Sequence, residues 1–221
     1  DMPYNEEKSE RRGNMTMNFP REELIRRMRS GQLYFCDDPA LAAEQLIWLD
    51  KVHDYNALKP SQQEEKKKLM REMFAEVGEG CYLETPFYAN WGGKNVHLGA
   101  GVYANFNLMM VDDCDIHIGD HVMIGPNVVL ATGTHPINPG LRDQQAQYNL
   151  PIHIEENVWI GAGAIVLPGV TIGKNSVIGA GSVVTKDIPS DVVAAGSPCR
   201  VLREIGERDR KYYRGDLEID L

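Results

Sequence analysis

Three of the six histidines stand at matching positions of a short repeating pattern, where their side chains could act together. His97, His117 and His135 are in register once two extra residues near Asp112 are removed, which predicts an outward ladder with one rung per turn of the fold. Neighbouring rungs about 4.8 Å apart could share a metal ion, but the outer two, about 10 Å apart, could not both reach one zinc ion. A metal-dependent site would therefore need a further ligand from another chain.

His135 alone could do a different kind of chemistry, as a base that takes a proton from a hydroxyl group. It is the last residue before an irregular stretch, 136–151, that interrupts the repeat. A histidine at the base of a loop can also be a plain surface residue, and the pattern alone favours that interpretation.

Polar side chains that could hold a hydroxylated substrate occur in the same region. Asn105 follows Ala104 at a turn, where its amide could hydrogen bond to a hydroxyl, although asparagine is also common in tight turns. Asp113 is a candidate carboxylate, whereas its neighbour Asp112 could equally serve the turn. Asn105 and His135 fall on different faces of the repeat, so a site that uses both would form between neighbouring subunits.

The elements that must position these residues repeat every six residues after Gly80. A unit this short cannot fold alone; it is a short strand and a turn, three of which close one triangular coil that stacks on the next. An ordinary β-sandwich would show a period of two instead. The leading aliphatic positions are Leu98, Ala104 and Met110, then Ile118, Ile124 and Leu130, and finally Ile160, Val166, Ile172, Ile178 and Val184.

Helical spacing precedes the repeat, and these patterns divide the chain. We expect a polar flexible arm over 1–18, a helical segment over 19–78, a β-helix over 79–198 with a protruding loop near 136–151, and a C-terminal helix and tail over 199–221. Ser61 and Glu64 predict a capping box at the start of the third helix, whose apolar stripe runs to Gly78.

Composition excludes some functions. A net charge of −9 disfavours nucleic acid as a partner. The four cysteines are widely spaced and predict thiols in a reducing compartment, and no apolar stretch is long enough for a membrane span, so we expect a cytoplasmic protein.

Four segments carry a family resemblance: YANFNLMMVDD, ATGTHPI, NVWIGAGAIVLPGVTIG and VIGAGSVVTKDIPSDVVAAGSPCRV. They resemble the galactoside and maltose O-acetyltransferase group of the hexapeptide acyltransferases. The resemblance implies a mainly β fold, a left-handed parallel β-helix that works as a homotrimer. It also implies acetyl-CoA as co-substrate, with direct acetyl transfer to a hydroxyl of a sugar-like molecule and no covalent acyl-enzyme.

The same resemblance assigns site residues. His135 matches the family's catalytic base. Asn105, Asp113 and Asp37 or Asp38 match acceptor-binding positions, although Asp37 or Asp38 could instead cap a helix. The positions that resemble the acetyl-CoA groove are Trp159, Gly161, Ala162, Ala180, Thr185, Lys186, Arg200 and Arg203. For Arg200 and Arg203, the alternative is an exposed helix face after Pro198.

Two residues depart from the family pattern. Trp91 stands where relatives carry a small or acidic acceptor contact; it could stack on a sugar or close the core. Ala162 replaces a serine of some relatives near the thioester, but its main-chain N–H remains available. The competing functions are a metal lyase resembling the γ-class carbonic anhydrases and a trimeric scaffold without activity. No metal is expected for acetyl transfer.

Overall fold

The structure, a computed structural model, describes residues 19–36 and 38–221. The arm predicted over 1–18 and the acceptor candidate Asp37 lie outside this range. The hexapeptide pattern forms a parallel β-helix with three faces, each built from short strands stacked coil on coil. The predicted β-helix is therefore confirmed.

Each face is named here for the side chains that point outward from it. The histidine face contains β2 (Glu76–Val77), β5 (Val96–Leu98), β8 (Ile116–Ile118), β13 (Ile152–Ile154) and β16 (Thr171–Ile172). The aromatic face contains β3 (Tyr82–Leu83), β6 (Tyr103–Ala104), β9 (Met123–Ile124), β14 (Trp159–Ile160), β17 (Val177–Ile178) and β19 (Val192–Ala195). The aliphatic face contains β4 (Tyr88–Ala89), β7 (Met109–Val111), β10 (Val129–Ala131), β15 (Ile165–Val166) and β18 (Val183–Val184).

Identical aliphatic positions stack on one another inside the prism. Ile118, Ile154 and Ile172 pair in register across three coils, and each is at most 3% exposed. Adjacent coils approach so closely at the corners that a β-carbon on Gly161 would lie 2.5 Å from the backbone nitrogen of Ala180. The repeat thus needs aliphatic residues for its core and glycine where coils touch.

Three helices precede and cover the first coils: α1 (Arg21–Arg29), α2 (Pro39–Ala57) and α3 (Gln63–Met73). The capping box predicted at Ser61 is wrong. Helix α3 begins two residues later, and the Gln62 side chain instead accepts a hydrogen bond from the Lys59 N–H. The helical stripe also ends before Gly78, because β2 already pairs with β5 in the first coil.

The stretch that interrupts the repeat has structure of its own. Strand β11 (Gly133–Thr134) leads out, α4 (Pro139–Asp143) turns the chain, and β12 (Ala146–Asn149) returns antiparallel to β11. On its other edge β12 pairs with β1 (Tyr34–Phe35), so this excursion joins the N-terminal segment in one three-stranded sheet.

The C-terminal segment differs in part from the prediction. Residues after Pro198 form β20 (Arg200–Glu204), antiparallel to β19, rather than a helix. The predicted short helix follows as α5 (Glu207–Lys211), before the hairpin of β21 (Tyr212–Arg214) and β22 (Leu217–Glu218). None of the described helices has the length and apolar character that crossing a bilayer requires.

Candidate active site

His135 lies at the root of the excursion, directly after β11. Its Nδ1 lies 2.8 Å from the main-chain oxygen of Ala146, on the returning strand β12. A carbonyl oxygen can only accept, so Nδ1 is the donor in this contact, and in the neutral imidazole Nε2 then carries the lone pair. The imidazole is exposed, in an open pocket that it shares with Cys36, Arg142 and Gln147. This arrangement presents a positioned proton acceptor to solvent.

Asp113 lies beside β11, the strand that immediately precedes His135. Its Oδ1 accepts hydrogen bonds from Asn90 Nδ2 at 3.2 Å and from Trp91 Nε1 at 3.1 Å. Burial raises the pKa of Asp113, while those two hydrogen bonds and the charge of His135 act in the opposite direction. Two hydrogen bonds therefore fix the Asp113 carboxylate, and its charge interacts with that of His135.

Asp112 is fully buried and holds the turn that contains Trp91 and Gly93. Its two oxygens accept the main-chain N–H groups of Trp91 at 2.7 Å and Gly93 at 2.9 Å. Burial raises the pKa of Asp112 to about 6 despite these bonds. The sequence left open whether Asp112 binds a substrate or stabilises a turn, and these contacts support the stabilisation of a turn.

Trp91 is only 3% exposed, which favours the interpretation that it closes the core. Its indole packs with α1 and α2 residues and has Lys94 over one ring. Only the Nε1–H reaches toward the site, through Asp113. The buried ring is therefore not available for stacking on a sugar, and the polar contact of Trp91 in this region is the hydrogen bond to Asp113.

Asn105 lies at the corner between β6 and β7, away from the excursion that carries His135. Its side-chain oxygen accepts the N–H of Phe106 at 2.7 Å, which leaves the amide NH₂ available as a donor. Asp38, the described member of the acidic pair, caps α2: its Oδ1 accepts from Ala40 at 2.7 Å and from Leu41 at 3.1 Å. Capping thus accounts for Asp38.

The small residues assigned to a coenzyme groove line one corner of the prism. Ala162 and Ala180 occupy the same turn position in successive coils and are both exposed. The Ala162 N–H donates to no main-chain acceptor among the described residues. Gly161 is buried, and its close approach to Ala180 explains the glycine without a ligand. The corner thus combines small exposed side chains with a main-chain N–H that has no main-chain acceptor among the described residues.

The larger residues of this group are spread along the late coils. The Trp159 side chain points outward on the aromatic face and is 51% exposed. Thr185 and Lys186 are exposed directly after β18. Arg200 and Arg203 are exposed on strand β20, and Arg203 makes a two-pronged ion pair with Asp209 at 2.7 and 2.8 Å. The helix-face alternative for the two arginines is therefore wrong, because they lie on a strand.

The predicted histidine ladder exists with a different third member. His97, His117 and His153 are in register on the histidine face, and His135 leaves this face with β11. Ring centroids lie 4.4 Å apart for His97 and His117, and 4.8 Å apart for His117 and His153. Burial lowers the pKa of His117, as do the charges of its two neighbours. The catalytic candidate and the ladder are therefore separate features.

Several residues around His135 were not identified from the sequence. Tyr34 is fully buried under the excursion, where Asn149 Nδ2 donates to its hydroxyl oxygen at 2.9 Å and Gln147 Nε2 at 2.6 Å. This network connects β1 to β12, more than a hundred residues later in the chain. The two strands that carry these residues are too short, and too far apart in the chain, to give a sequence signal.

Comparison with known proteins agrees with this geometry. A model described as the maltose acetyltransferase hexapeptide capping motif matches residues 27–78, and one described as the bacterial transferase hexapeptide (six repeats) matches residues 151–186. A galactoside O-acetyltransferase from Lactococcus lactis is 55% identical over 202 residues, which is 91% of this chain and 98% of the relative.

Solved structures give the same result. A galactoside acetyltransferase in complex with coenzyme A superposes with a TM-score of 0.86 at 47% identity, over 92% of this chain and all of that one. A maltose O-acetyltransferase from Clostridium difficile 630 has a TM-score of 0.81 at 41% identity, over 83% and 98% of the two chains. The fold and the corner sites define an acyltransferase. The chain belongs to the hexapeptide-repeat acetyltransferase family, in the galactoside and maltose O-acetyltransferase group. A carbonic anhydrase-like lyase is not favoured.

Proposed function

We propose that the protein transfers an acetyl group from acetyl-CoA to a hydroxyl of a galactoside or a related sugar, with His135 as the general base. The named relatives are sugar acetyltransferases, and one of them binds coenzyme A. The observation that carries the proposal is the contact between His135 Nδ1 and the Ala146 oxygen at 2.8 Å. With Nδ1 as the donor, Nε2 of the neutral imidazole is the nitrogen that can accept a proton beside the open pocket, which is what a base acting on an alcohol requires.

The reaction follows as a direct displacement. Nε2 of His135 takes the hydroxyl proton while the alcohol oxygen attacks the thioester carbonyl carbon, which gives a tetrahedral intermediate with a negative oxygen. That intermediate collapses by breaking the carbon–sulfur bond, and the thiolate leaves with the proton from the imidazolium. Holding both substrates together replaces a covalent acyl-enzyme, so no protein nucleophile is needed.

The developing negative charge on the carbonyl oxygen needs a hydrogen-bond donor. The Ala162 N–H fits this role because it is exposed at a corner and does not take part in the main-chain bonds between the described coils. Main-chain donors of this kind stabilise oxyanions without side-chain reorganisation. Replacement of a serine by Ala162 therefore leaves the reaction intact.

Asp113 and Asn105 are the proposed contacts of the acceptor sugar. Asp113 can accept from a sugar hydroxyl with the oxygen that Asn90 and Trp91 do not use, and the Asn105 amide can donate to another. Asp37 stays a prediction as a further contact. In the coenzyme groove, Trp159, Gly161, Ala180 and Thr185 would flank the pantetheine arm. Lys186, Arg200 and Arg203 would hold its phosphates.

A homotrimer would bring these parts together. Asn105 lies at one edge of the aliphatic face and His135 at the opposite edge. If each site takes Asn105 from one subunit and His135 from the next, the aliphatic face between them turns toward the three-fold axis. That face is apolar, with Tyr88 51% and Met109 41% exposed, as an interface requires.

The buried, unbridged thiols of Cys81, Cys114 and Cys199 support a reducing compartment such as the cytoplasm.

The decisive experiment is thiol release from acetyl-CoA by His135→Ala with galactosides as acceptors. We expect the turnover number to fall about a hundred- to ten-thousandfold, because the base is lost. Coenzyme binding and trimer mass should not change. His121→Asn is the matched control and should keep full activity, because His121 is exposed at the corner opposite the aliphatic face and has a positive φ that asparagine tolerates. Near-normal turnover by His135→Ala would remove the base assignment.

A further inference from the structure

The histidine face carries a second cluster of ligand-type side chains. His97, Asp115 and His117 each offer one ligand atom, and these atoms lie within 4.8 Å of one another. The His97 and His117 rings stack, and His97 Nε2 lies 3.9 Å from Asp115 Oδ1. Nothing in the acetyl-transfer reaction uses these residues.

The fold places the three side chains together. Strands β5 and β8 pair in parallel with His97 opposite His117, so the spacing between coils fixes the distance between the rings. Asp115 immediately precedes β8, after the two extra residues that break the six-residue count. The carboxylate thus reaches the gap between two rungs instead of following the repeat.

We propose that His97, Asp115 and His117 bind a divalent transition-metal ion, with Zn²⁺ as the best match. Two imidazoles and one carboxylate suit borderline ions of this type rather than Mg²⁺ or Ca²⁺, which prefer oxygen alone. Ligand atoms about 2.1 Å from a tetrahedral ion lie roughly 3.4 Å apart, so the cluster must contract by about 1 Å. Half-buried side chains at the surface can make that adjustment.

A second carboxylate lies next to the first imidazole. His97 Nδ1 lies 3.6 Å from Glu76 Oε2, on the side away from Asp115. This is an ion-pair distance and not a hydrogen bond, but a small rotation of the Glu76 side chain would let it accept from Nδ1 and leave Nε2 for the ion, as is common around metal-binding histidines. Glu76 and Asp115 also give the gap a negative charge that attracts a cation.

His153 continues the ladder but is not assigned as a ligand. Its ring stacks on His117 at 4.8 Å, yet its nitrogen atoms do not fall in the close group among the described residues. The gap between His97 and His117 has Asp115 beside it. We therefore assign the ion to the gap between His97 and His117.

The site is separate from acetyl transfer. It lies on the histidine face, whereas His135 lies on the excursion and the corner of Ala162 and Ala180 joins the other two faces. Binding would link two successive coils, so the expected consequence is a higher unfolding temperature with unchanged transferase activity.

The test uses the full-length chain without an affinity tag, stripped with a chelator and titrated with Zn²⁺ against a chromophoric competitor. We expect one ion per chain. His117→Ala should weaken binding about tenfold or more, because even the partners of metal ligands are worth about ten- to a hundredfold. Asp115→Asn should weaken it similarly, while the distant control His53→Ala should not. Co²⁺ should give visible absorption bands that His117→Ala abolishes.

Two results would overturn the proposal. One is absence of saturable Zn²⁺ binding, or binding that His117→Ala and Asp115→Asn leave unchanged. The other is loss of binding in His153→Ala with Asp115→Asn unaffected, which would place the ion between His117 and His153. Circular dichroism and trimer mass of each variant distinguish lost ligands from lost fold, and transferase activity should be the same in all of them.

Discussion

Gly133 runs so close to Asp113 that a β-carbon on the glycine would lie 2.5 Å from Asp113 Oδ2. Gly133 is two residues before His135, so the same short strand supports the proposed base and limits the position of the acceptor carboxylate. The glycine is needed for this approach and not for an unusual backbone angle. The spacing between the proposed base and carboxylate is thus built into the backbone of β11.

Gly133→Ala should displace the Asp113 carboxylate and weaken acceptor use. We expect kcat/KM for the sugar to fall about tenfold or more, since about 1.4 kcal/mol of lost positioning is a factor of ten. The KM for acetyl-CoA should change little. Gly206→Ala is the matched control, because a β-carbon there meets no atom within 4 Å. Unchanged acceptor kinetics in Gly133→Ala would argue against Asp113 as a sugar contact.

Asp112→Asn should alter how stability depends on pH. Burial raises the pKa of Asp112 to about 6 in the folded protein, above its ordinary value, so folding favours the protonated form. The stability that Asp112 contributes is therefore full only below its ordinary pKa of 3.8 and is lost as pH rises from there through about 6. Asp112→Asn lacks this dependence, so its cost in unfolding free energy should be largest near pH 4 and smallest above pH 7. Urea unfolding from pH 4 to 8 measures it; a cost that grows with pH would contradict the assignment.

Cys36 should be the thiol that alkylation reaches in the native protein. It is exposed in the pocket that contains His135, whereas Cys81, Cys114 and Cys199 are buried. Burial also raises the pKa of Cys114 to about 11, which suppresses its reactive thiolate. Iodoacetamide should add one group per chain and lower activity, and Cys36→Ser should stay active and resist it. Modification of several thiols before activity falls would count against this.

Met109→Glu should prevent trimer formation. Met109 points outward from the aliphatic face, where a carboxylate would lose its hydration at an interface, a cost of several kcal/mol. Sedimentation should show smaller species, and activity should fall with trimer content because each proposed site would draw on two subunits. Thr171→Glu, at the matching outward position of the histidine face, should remain trimeric. An intact trimer of Met109→Glu would place the interface elsewhere.

Lys186→Ala should weaken coenzyme binding without slowing chemistry. A charge that holds a phosphate far from the reacting carbon contributes binding alone, so KM for acetyl-CoA should rise about five- to tenfold while kcat stays similar. Lys174→Ala, an exposed lysine on another corner beside Glu156, is the control. A large fall in kcat with unchanged KM would give Lys186 a different role.

The repeat was readable from sequence because each coil repeats the same local rule. Ile118, Ile154 and Ile172 occupy the same position in successive coils. Six-residue counting therefore predicted the faces and the separation of Asn105 from His135. Counting failed where the chain leaves the repeat. The ladder resumes at His153 because residues 136–151 form their own hairpin, and no local rule shows where the next coil begins.

Non-local pairing explains the other differences. Tyr34 and Phe35 pair with Gln147 and Ala146, a contact that periodicity within either segment cannot reveal. After Pro198 the chain forms a strand because the edge of β19 offers unpaired main-chain groups, which outweighs local helical preference. At Ser61, the Gln62 side chain occupies the Lys59 N–H and shifts the start of α3.

The three-stranded sheet of β1, β12 and β11 has a mechanical consequence. Ala146, whose carbonyl orients the imidazole, pairs directly with Phe35, just before the acidic pair at the start of α2. A pull on the N-terminal helices is thus transmitted through two strands to the hydrogen bond that sets the tautomer. The N-terminal segment and the proposed base are thus held by one hydrogen-bonded sheet, so a displacement of β1 would move β12 and the carbonyl that accepts from His135.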